Sequence, residues 1–363
     1  MLYLTGFILV FTALQFIVAA TNLIFRQNLQ EIHLNGNPLV SILIPARNEE
    51  QNIGVILNDL MNQQYANLEI LVFDDQSDDM TGKIVCDMGE KDSRIKLIRS
   101  QGLPAGWLGK NFACHSLSNH ANGDYLLFLD ADVRIGKTII QSAAGYAGQN
   151  NLGLLSIFPK QIVISSGEKM TVPVMNNILL TLLPLPLVLG LQFPSLSAAN
   201  GQFMLFKTEI YRNWYPHEYV KKSKAEDIGI ARYYKTKRIR IACLTGNESI
   251  QCRMYKSFDE AVKGFSKNIT AFFGNSFLLA TLFWMITTFG FIPVILFCAA
   301  NISIPYFVIL LVTRILVSKA SHQEVLDGFI YFIPQQLAMG LFIFRAFTNK
   351  YFYHYQWKGR NIA

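Results

Sequence analysis

The side chains in this sequence best suited to chemistry are acidic, and they fall in three clusters. The first is Asp74-Asp75-Gln76-Ser77-Asp78-Asp79, the second the D-x-D triplet Asp130-Ala131-Asp132, and the third the pair Glu226-Asp227. Carboxylates two residues apart, just past a buried strand, can meet at one crevice where a divalent cation bridges a diphosphate. Oxygen-only ligands suit Mg2+ or Mn2+ rather than zinc. Glu226-Asp227 follows the basic residues Lys221, Lys222 and Lys224 and opens a segment of helical character, Ile228 to Tyr234. A carboxylate near a helix N-terminus is stabilised as the anion. That suits a general base and an ordinary helix cap equally, because a base is defined by hydrogen-bond reach to its proton. Asp-rich turns also cap helices, so each cluster taken alone leaves both readings open.

Other metal and redox chemistry has little support. The five cysteines (Cys86, Cys114, Cys243, Cys252 and Cys298) are scattered, with no C-x-x-C pair. Neither a disulfide framework nor a zinc site is indicated. The six histidines are equally dispersed. The net charge of +7 comes without a block of like charge, so no nucleic-acid partner is expected. A basic excess beside apolar segments fits anionic headgroups or diphosphates.

The elements that would position these acids alternate between strand and helix. Leu39 to Pro45 is a continuous apolar run, as expected for a strand covered on both faces. Asn48 to Gln64 carries apolar residues at helical spacing (Ile53, Ile56, Leu57, Leu60, Met61). Leu68 to Phe73, Ile95 to Ile98 and Tyr125 to Leu129 read as strands, with Thr81 to Met88 and Asn111 to His120 as helices between them. Alternation of this kind predicts an α/β layer with a mostly parallel sheet and right-handed crossovers. Ligands of such sheets sit outside the carboxyl ends of the strands, and two of the acidic clusters stand there.

Composition adds a membrane. Hydrophobic residues make up 51% and charged residues only 16%, against about 25% charged in ordinary soluble domains. No charge precedes Arg26, so residues 1–25 form an expected transmembrane anchor. A cleaved signal peptide, with Ala19-Ala20-Thr21 as its site, is the rival; it lacks a leading basic residue, and the apolar run is too long. A second lipid region, 268–347, follows Lys267, with two crossings expected and Pro293 or Asn301 to Pro305 as the turn. The basic tail 348–363 and Arg26 place the catalytic side and the tail in the cytoplasm of a multi-pass inner-membrane protein. A proline-rich apolar run, 172–193, reads either as an interfacial segment or as a buried core helix with a loop.

The order LVSILIPARNEE, LEILVFDDQSDD, YLLFLDADV and AEDIG resembles the family-2 glycosyltransferases of GT-A fold, over about residues 38–260. The resemblance implies that Pro45, Arg47, Glu49 and Asp75 line a nucleoside pocket. Asp130 would face the ribose or diphosphate, Asp132 would hold Mg2+ or Mn2+, and Asp227 would be the base of an inverting displacement. GWLGKNFA, NGQFMLF, RMY, GFSKN and WKGR are similar to stretches of bacterial enzymes that glycosylate carotenoid acids, and of hopanoid-associated relatives. From these motifs Lys110 would reach the donor, with Gln202, Glu226 and Arg253 near the sugar or acceptor. The expected donor is a nucleotide sugar, a UDP-sugar first, and the expected acceptor a lipid at the membrane.

One departure narrows the class. Processive synthases of this family carry Q-x-x-R-W, whereas this chain reads Ile250-Gln251-Cys252-Arg253-Met254, out of register at Gln and lacking Trp. Transfer of a single sugar is therefore expected. Transfer to a polyprenyl phosphate and a catalytically silent membrane scaffold are the alternatives.

Overall fold

The computed structural model describes residues 2–32, 36–351, 355–357 and 360–362. The chain divides into two compact units, one comprising Gln27–Lys160 and Leu187–Cys252, the other Met1–Arg26, Gln161–Pro186 and Arg253–Ala363. Of the tail motif WKGR, Lys358 and Gly359 lie outside the described residues.

The first unit is an α/β layer. Its strands are β1 (Val40–Ala46), β2 (Leu68–Asp74), β3 (Ile95–Arg99), β4 (Tyr125–Leu129), β5 (Val133–Ile135), β6 (Leu154–Phe158), β7 (Lys160–Gln161), β8 (Phe203–Lys207), β9 (Ile241–Thr245) and β10 (Ile250–Cys252). Seven of them form one sheet in the order β3-β2-β1-β4-β8-β6-β9. β1 pairs in parallel with β2 (Leu43 opposite Leu71) and with β4 (Leu43 opposite Phe128). Both faces of β1 are covered: Val40, Ile42, Leu43 and Ile44 are all fully buried, which is why the strand reads as an unbroken apolar run. The chain steps outward from β1 to β3 and returns beyond β1 to β4, placing a topological switch point between β1 and β4. Ligands of open α/β sheets bind at such a point.

Two features depart from a simple parallel reading. β8 runs antiparallel to both β4 and β6, so the sheet is mixed, although its other pairings are parallel. The first helix begins at Ile53 rather than Asn48. Asn48 takes a left-handed φ of 52°, and the amides of Asn52 and Ile53 both close onto the Glu49 carbonyl before the helix starts. The residues between β1 and that helix are thereby held at the strand end. A smaller sheet, β5-β10-β7, brings Cys252 opposite Val133.

The second unit is helical. The helix Leu2–Ile24 buries Thr5, Ile8, Thr12, Gln15, Ala19 and Asn22, while Phe7, Val10, Leu14 and Ile17 are exposed. The stripe at i, i+3, i+4 and i+7 therefore turns its polar residues inward and its apolar residues outward, the reverse of a water-soluble helix. Asn22 Nδ2 donates to the carbonyls of Leu180 (3.0 Å) and Leu183 (2.9 Å), and its Oδ1 accepts from Leu185 N (2.7 Å). These bonds fix Pro173–Leu182, a helix of the proline-rich run; Pro173 is its first residue, where the missing N–H costs nothing. Val174 and Ile178 from that run enter a core with Phe265, Phe273, Phe283 and Phe342.

Two helices, Leu2–Ile24 and Ala300–Ala320, are long and apolar enough to cross a membrane, which fits a membrane-associated protein. The expected turn at Asn301 to Pro305 is not formed: Pro305 lies inside the helix Ala300–Ala320, and the chain breaks just before it, at Cys298 and Ala299. A further apolar pair, Phe258–Phe273 and Phe277–Phe289, bends by 99°. Gly274 (φ 65°) and Asn275 (φ 64°) make that bend in the left-handed region, which glycine and asparagine enter most readily.

Candidate active site

At the carboxyl edge of β1, β2 and β4 the loops lace into one another. Arg47 Nη1 donates to the carbonyls of Asp75 (2.5 Å) and Gln76 (2.9 Å). Asn48 N donates to Ser77 Oγ (3.0 Å), and Asp78 N donates to Asn48 Oδ1 (2.9 Å). Asp75 is buried, its amide bonded to the Ala46 carbonyl. Glu49 accepts from Asn52 Nδ2 (2.8 Å) and donates its amide to Thr81 Oγ1 (2.8 Å). Pro45, in β1 opposite Phe73, completes this wall. The first acidic cluster thus divides its work. Asp79 accepts from the Thr81 hydroxyl and amide and from Glu50 N, an ordinary turn and cap role. Asp75 faces the β1 loop.

Past β4 the acids converge on one lysine. Lys110, second residue of the helix Gly109–His120, lies 2.9 Å from both oxygens of Asp130 and 3.2 Å from Glu226 Oε1. Burial opposes its charge, but the two carboxylates outweigh burial and hold its pKa well above the ordinary lysine value. The lysine is positioned by its neighbours: Asn111 Nδ2 donates to the carbonyls of Val220 (2.9 Å) and Ser223 (3.0 Å), and Leu108 N donates to the Lys221 carbonyl (2.9 Å). The start of its helix is therefore tied to the segment that leads into Glu226.

Asp227 stands beside this cluster at the start of the helix Glu226–Thr236. Its Oδ1 accepts from Ile228 N (2.7 Å) and its Oδ2 from Gly201 N (3.1 Å). Burial first, and then the neighbouring Glu226 carboxylate, push its pKa up to about 7, against the pull of those amides and Lys110. Gly201 sits where no side chain fits without displacement: a Cβ there would lie 2.9 Å from Glu226 Oε1 and 3.1 Å from Lys110 Nζ.

Asp132 is also pushed to about 7, by burial and by the Asp130 and Glu49 carboxylates. Cys252 hydrogen-bonds its carboxylate, and Gln202 Nε2 in turn donates to Cys252 Sγ (2.8 Å). The other oxygen, Oδ1, is buried without a hydrogen-bond partner. A buried carboxylate oxygen with no donor, among like charges, fits a divalent cation. Among the described residues no three His, Cys, Asp or Glu side chains form a preset cage. Hard Mg2+ and Mn2+ ions are compatible with that, because they keep waters and substrate phosphates in their shells.

The structure therefore brings together Lys110, Asp130, Asp132, Gln202, Glu226 and Asp227, with the Pro45–Glu49 and Asp75 wall on the same strand edge. Arg253 belongs to the helical unit, where its Nη2 pairs with Glu168 Oε1 at 2.8 Å. Glu168 is itself fixed by Ser165 and Ile164. Sequence reasoning did not single out Gly201 or Cys252. Gly201 lies inside the NGQFMLF stretch, whereas nothing in the sequence pointed to Cys252, which meets Asp132 only through β10.

Comparison with known proteins supplies the family. Residues 41–214 match the family described as Glycosyl transferase family 2. The chain is 27% identical over 277 residues to the 4,4'-diaponeurosporenoate glycosyltransferase of Staphylococcus haemolyticus, covering 71% of this chain and 70% of that protein. Its counterpart in Staphylococcus aureus is 26% identical over 285 residues, 75% of this chain and 72% of that one. In fold, the chain is similar to the mannosyltransferase PcManGT from Pyrobaculum calidifontis, solved with GDP-Man and Mn2+. The TM-score is 0.56 at 14% identity, over 96% of this chain and 99% of that one. Residues 41–214 thus carry a glycosyl transferase family 2 domain, in a chain with the GT-A fold and a resemblance to carotenoid glycosyltransferases.

Proposed function

We propose that this chain moves a single sugar from a nucleoside-diphosphate sugar, a UDP-sugar first, onto a lipid of the carotenoid or related isoprenoid class, with inversion. The observation that carries the reading is Asp227, a buried carboxylate raised to about 7 and fixed by two backbone amides beside Lys110. A base poised near neutral pH, in a rigid mount, is suited to removing a proton from an attacking oxygen. An acceptor hydroxyl gives its proton to Asp227; a carboxylate acceptor, as in the name of the staphylococcal relatives, is already ionised near neutral pH and attacks directly, with Asp227 beside it.

The other residues take roles on the donor side. Pro45, Arg47, Glu49 and Asp75 receive the nucleoside, and Lys110 and Asp130 orient the diphosphate. Lys110 would exchange its carboxylates for phosphate oxygens, a charge-assisted contact that strengthens as the leaving group gains charge. A Mg2+ or Mn2+ ion held by Asp132 would neutralise that leaving group. Gln202 and Glu226 border the sugar, and Arg253 is assigned to the acceptor side on its motif. The catalytic region 38–260 is cytoplasmic and its flanks, 1–25 and 268–347, cross the inner membrane.

The test is transfer of label from UDP-glucose into lipid extracts by membranes holding the full chain. Asp227→Asn should lose about 10²–10⁴-fold in turnover while donor affinity stays nearly intact. Transfer at the wild-type rate would remove Asp227 as the base. Asp132→Ala should abolish the Mn2+-dependent gain in donor affinity; an unchanged gain would take Asp132 out of the metal site. Label carried on a polyprenyl phosphate would overturn the acceptor class.

A further inference from the structure

The helical unit holds a partly open cavity of about 60 Å3 with a mixed lining. Gln15, Asn177, Gln335 and Arg314 give it polar walls, and Ile286 and Leu310 an apolar one. One water needs about 10–15 Å3, so the cavity has room for a polar group of several heavy atoms. A second, smaller cavity shares Arg314, Asn177 and Gln335, and is bordered by Lys169, Glu324 and Asp327.

Arg314 is the feature that needs explaining. It lies within the apolar helix Ala300–Ala320, one of the two long enough to cross a membrane. Its Nη1 donates to Gln335 Oε1 (2.9 Å), and its guanidinium lies 4.5 Å from the centre of the Phe332 ring. No carboxylate among the described residues pairs with it: Asp327 is engaged by Lys169 at 2.9 Å, and Glu324 makes no ion pair with it. A guanidinium carries five donors in a planar fork that matches a carboxylate or phosphate. An arginine inside an apolar span is costly unless it meets an opposite charge, and marks a functional site by default. Here the protein supplies the cation and the room beside it, but not the anion.

We propose that this cavity is a lipid site in which Arg314 binds the carboxylate or phosphate of one membrane amphiphile, with the apolar chain running along Ile286 and Leu310. The assignment does not depend on which acceptor the transferase domain uses. It explains why Gln335 spends its Oε1 on the guanidinium and its Nε2 on the Lys169 carbonyl (3.0 Å), holding one face of Arg314 still.

The experiment uses the full chain in detergent and a fluorescent polyene fatty acid, parinaric acid, with its methyl ester as the neutral control. The acid should bind at least ten times more tightly than the ester, and Arg314→Gln should remove that preference while leaving ester binding unchanged. Gln335→Glu would set a carboxylate against Arg314; it should abolish acid binding without lowering the melting temperature. That variant decides the matter if Arg314→Gln fails to fold. Competition by phosphatidylglycerol but not phosphatidylcholine would assign a lipid phosphate as the source, and competition by oleate alone a carboxylate. Equal binding of acid and ester by the wild type, or wild-type acid binding by Gln335→Glu, would overturn the proposal.

Discussion

Asp227 and Asp132 are both raised to about 7 by burial and by neighbouring carboxylates, yet their surroundings differ. Asp227 has both oxygens met by backbone amides, whereas Asp132 leaves Oδ1 unmet. The first arrangement suits the proton acceptor proposed above, the second the proposed cation. A raised carboxyl pKa means the ionised form is present only above it, so activity should fall as the pH drops through about 7. With Mg2+ saturating, kcat/KM should fall about tenfold per pH unit, one proton's worth. With Mg2+ scarce the slope should steepen, because Asp132 then titrates in the same range. An acid limb near the ordinary carboxylate pKa would contradict this. That two of the acidic clusters stand at the carboxyl ends of strands was legible in the sequence. Which oxygen is satisfied was not, because the partners of Asp132 and Asp227 arrive from β10 and from the turn before β8.

At the level of elements, β1, β2 and β4 declared themselves by apolar runs interrupted within only at Ser41 and Glu69, because both faces of the sheet are covered. β6, β8 and β9 are equally buried, but a short apolar run does not reveal direction. NGQFMLF therefore stood out as a motif and not as an antiparallel strand. Its direction matters, since it carries Gly201 and Gln202 to the end of β4, where Asp130 N donates to the Gln202 carbonyl (3.2 Å). Gly201→Ala tests this convergence. The atoms a Cβ would meet, Glu226 Oε1 and Lys110 Nζ, are the ends of flexible side chains. The fold should tolerate the change within about 1 kcal/mol. The lysine–carboxylate cluster must shift, however, and misplacement on the order of 1 Å costs about 10²-fold in rate. Thermal unfolding and steady-state kinetics on the same preparation separate the two. A large loss of stability, or unaltered kinetics, would contradict the reading.

At the level of the whole chain, the composition indicated lipid contact, and the helix Leu2–Ile24 shows how: its polar residues face inward and its apolar ones outward. Sequence alone misplaced the break near Pro305, because the helix Ala300–Ala320 runs through that proline and the chain breaks at Cys298 and Ala299 instead. The chain should therefore stay in the membrane pellet through an alkaline carbonate wash. Release into the supernatant would show that the apolar helices are covered by protein instead. One connection separates the sheet from what the chain builds between two of its strands. β6 and β8 are adjacent and antiparallel, and the segment between them, including Gln161–Pro186, leaves the sheet to join the helical unit and then returns to the neighbouring strand. An excursion that departs and re-enters at one spot is a socket. Because β6 and β8 pair with each other directly, their register is set within the sheet and not by the length of the segment between them.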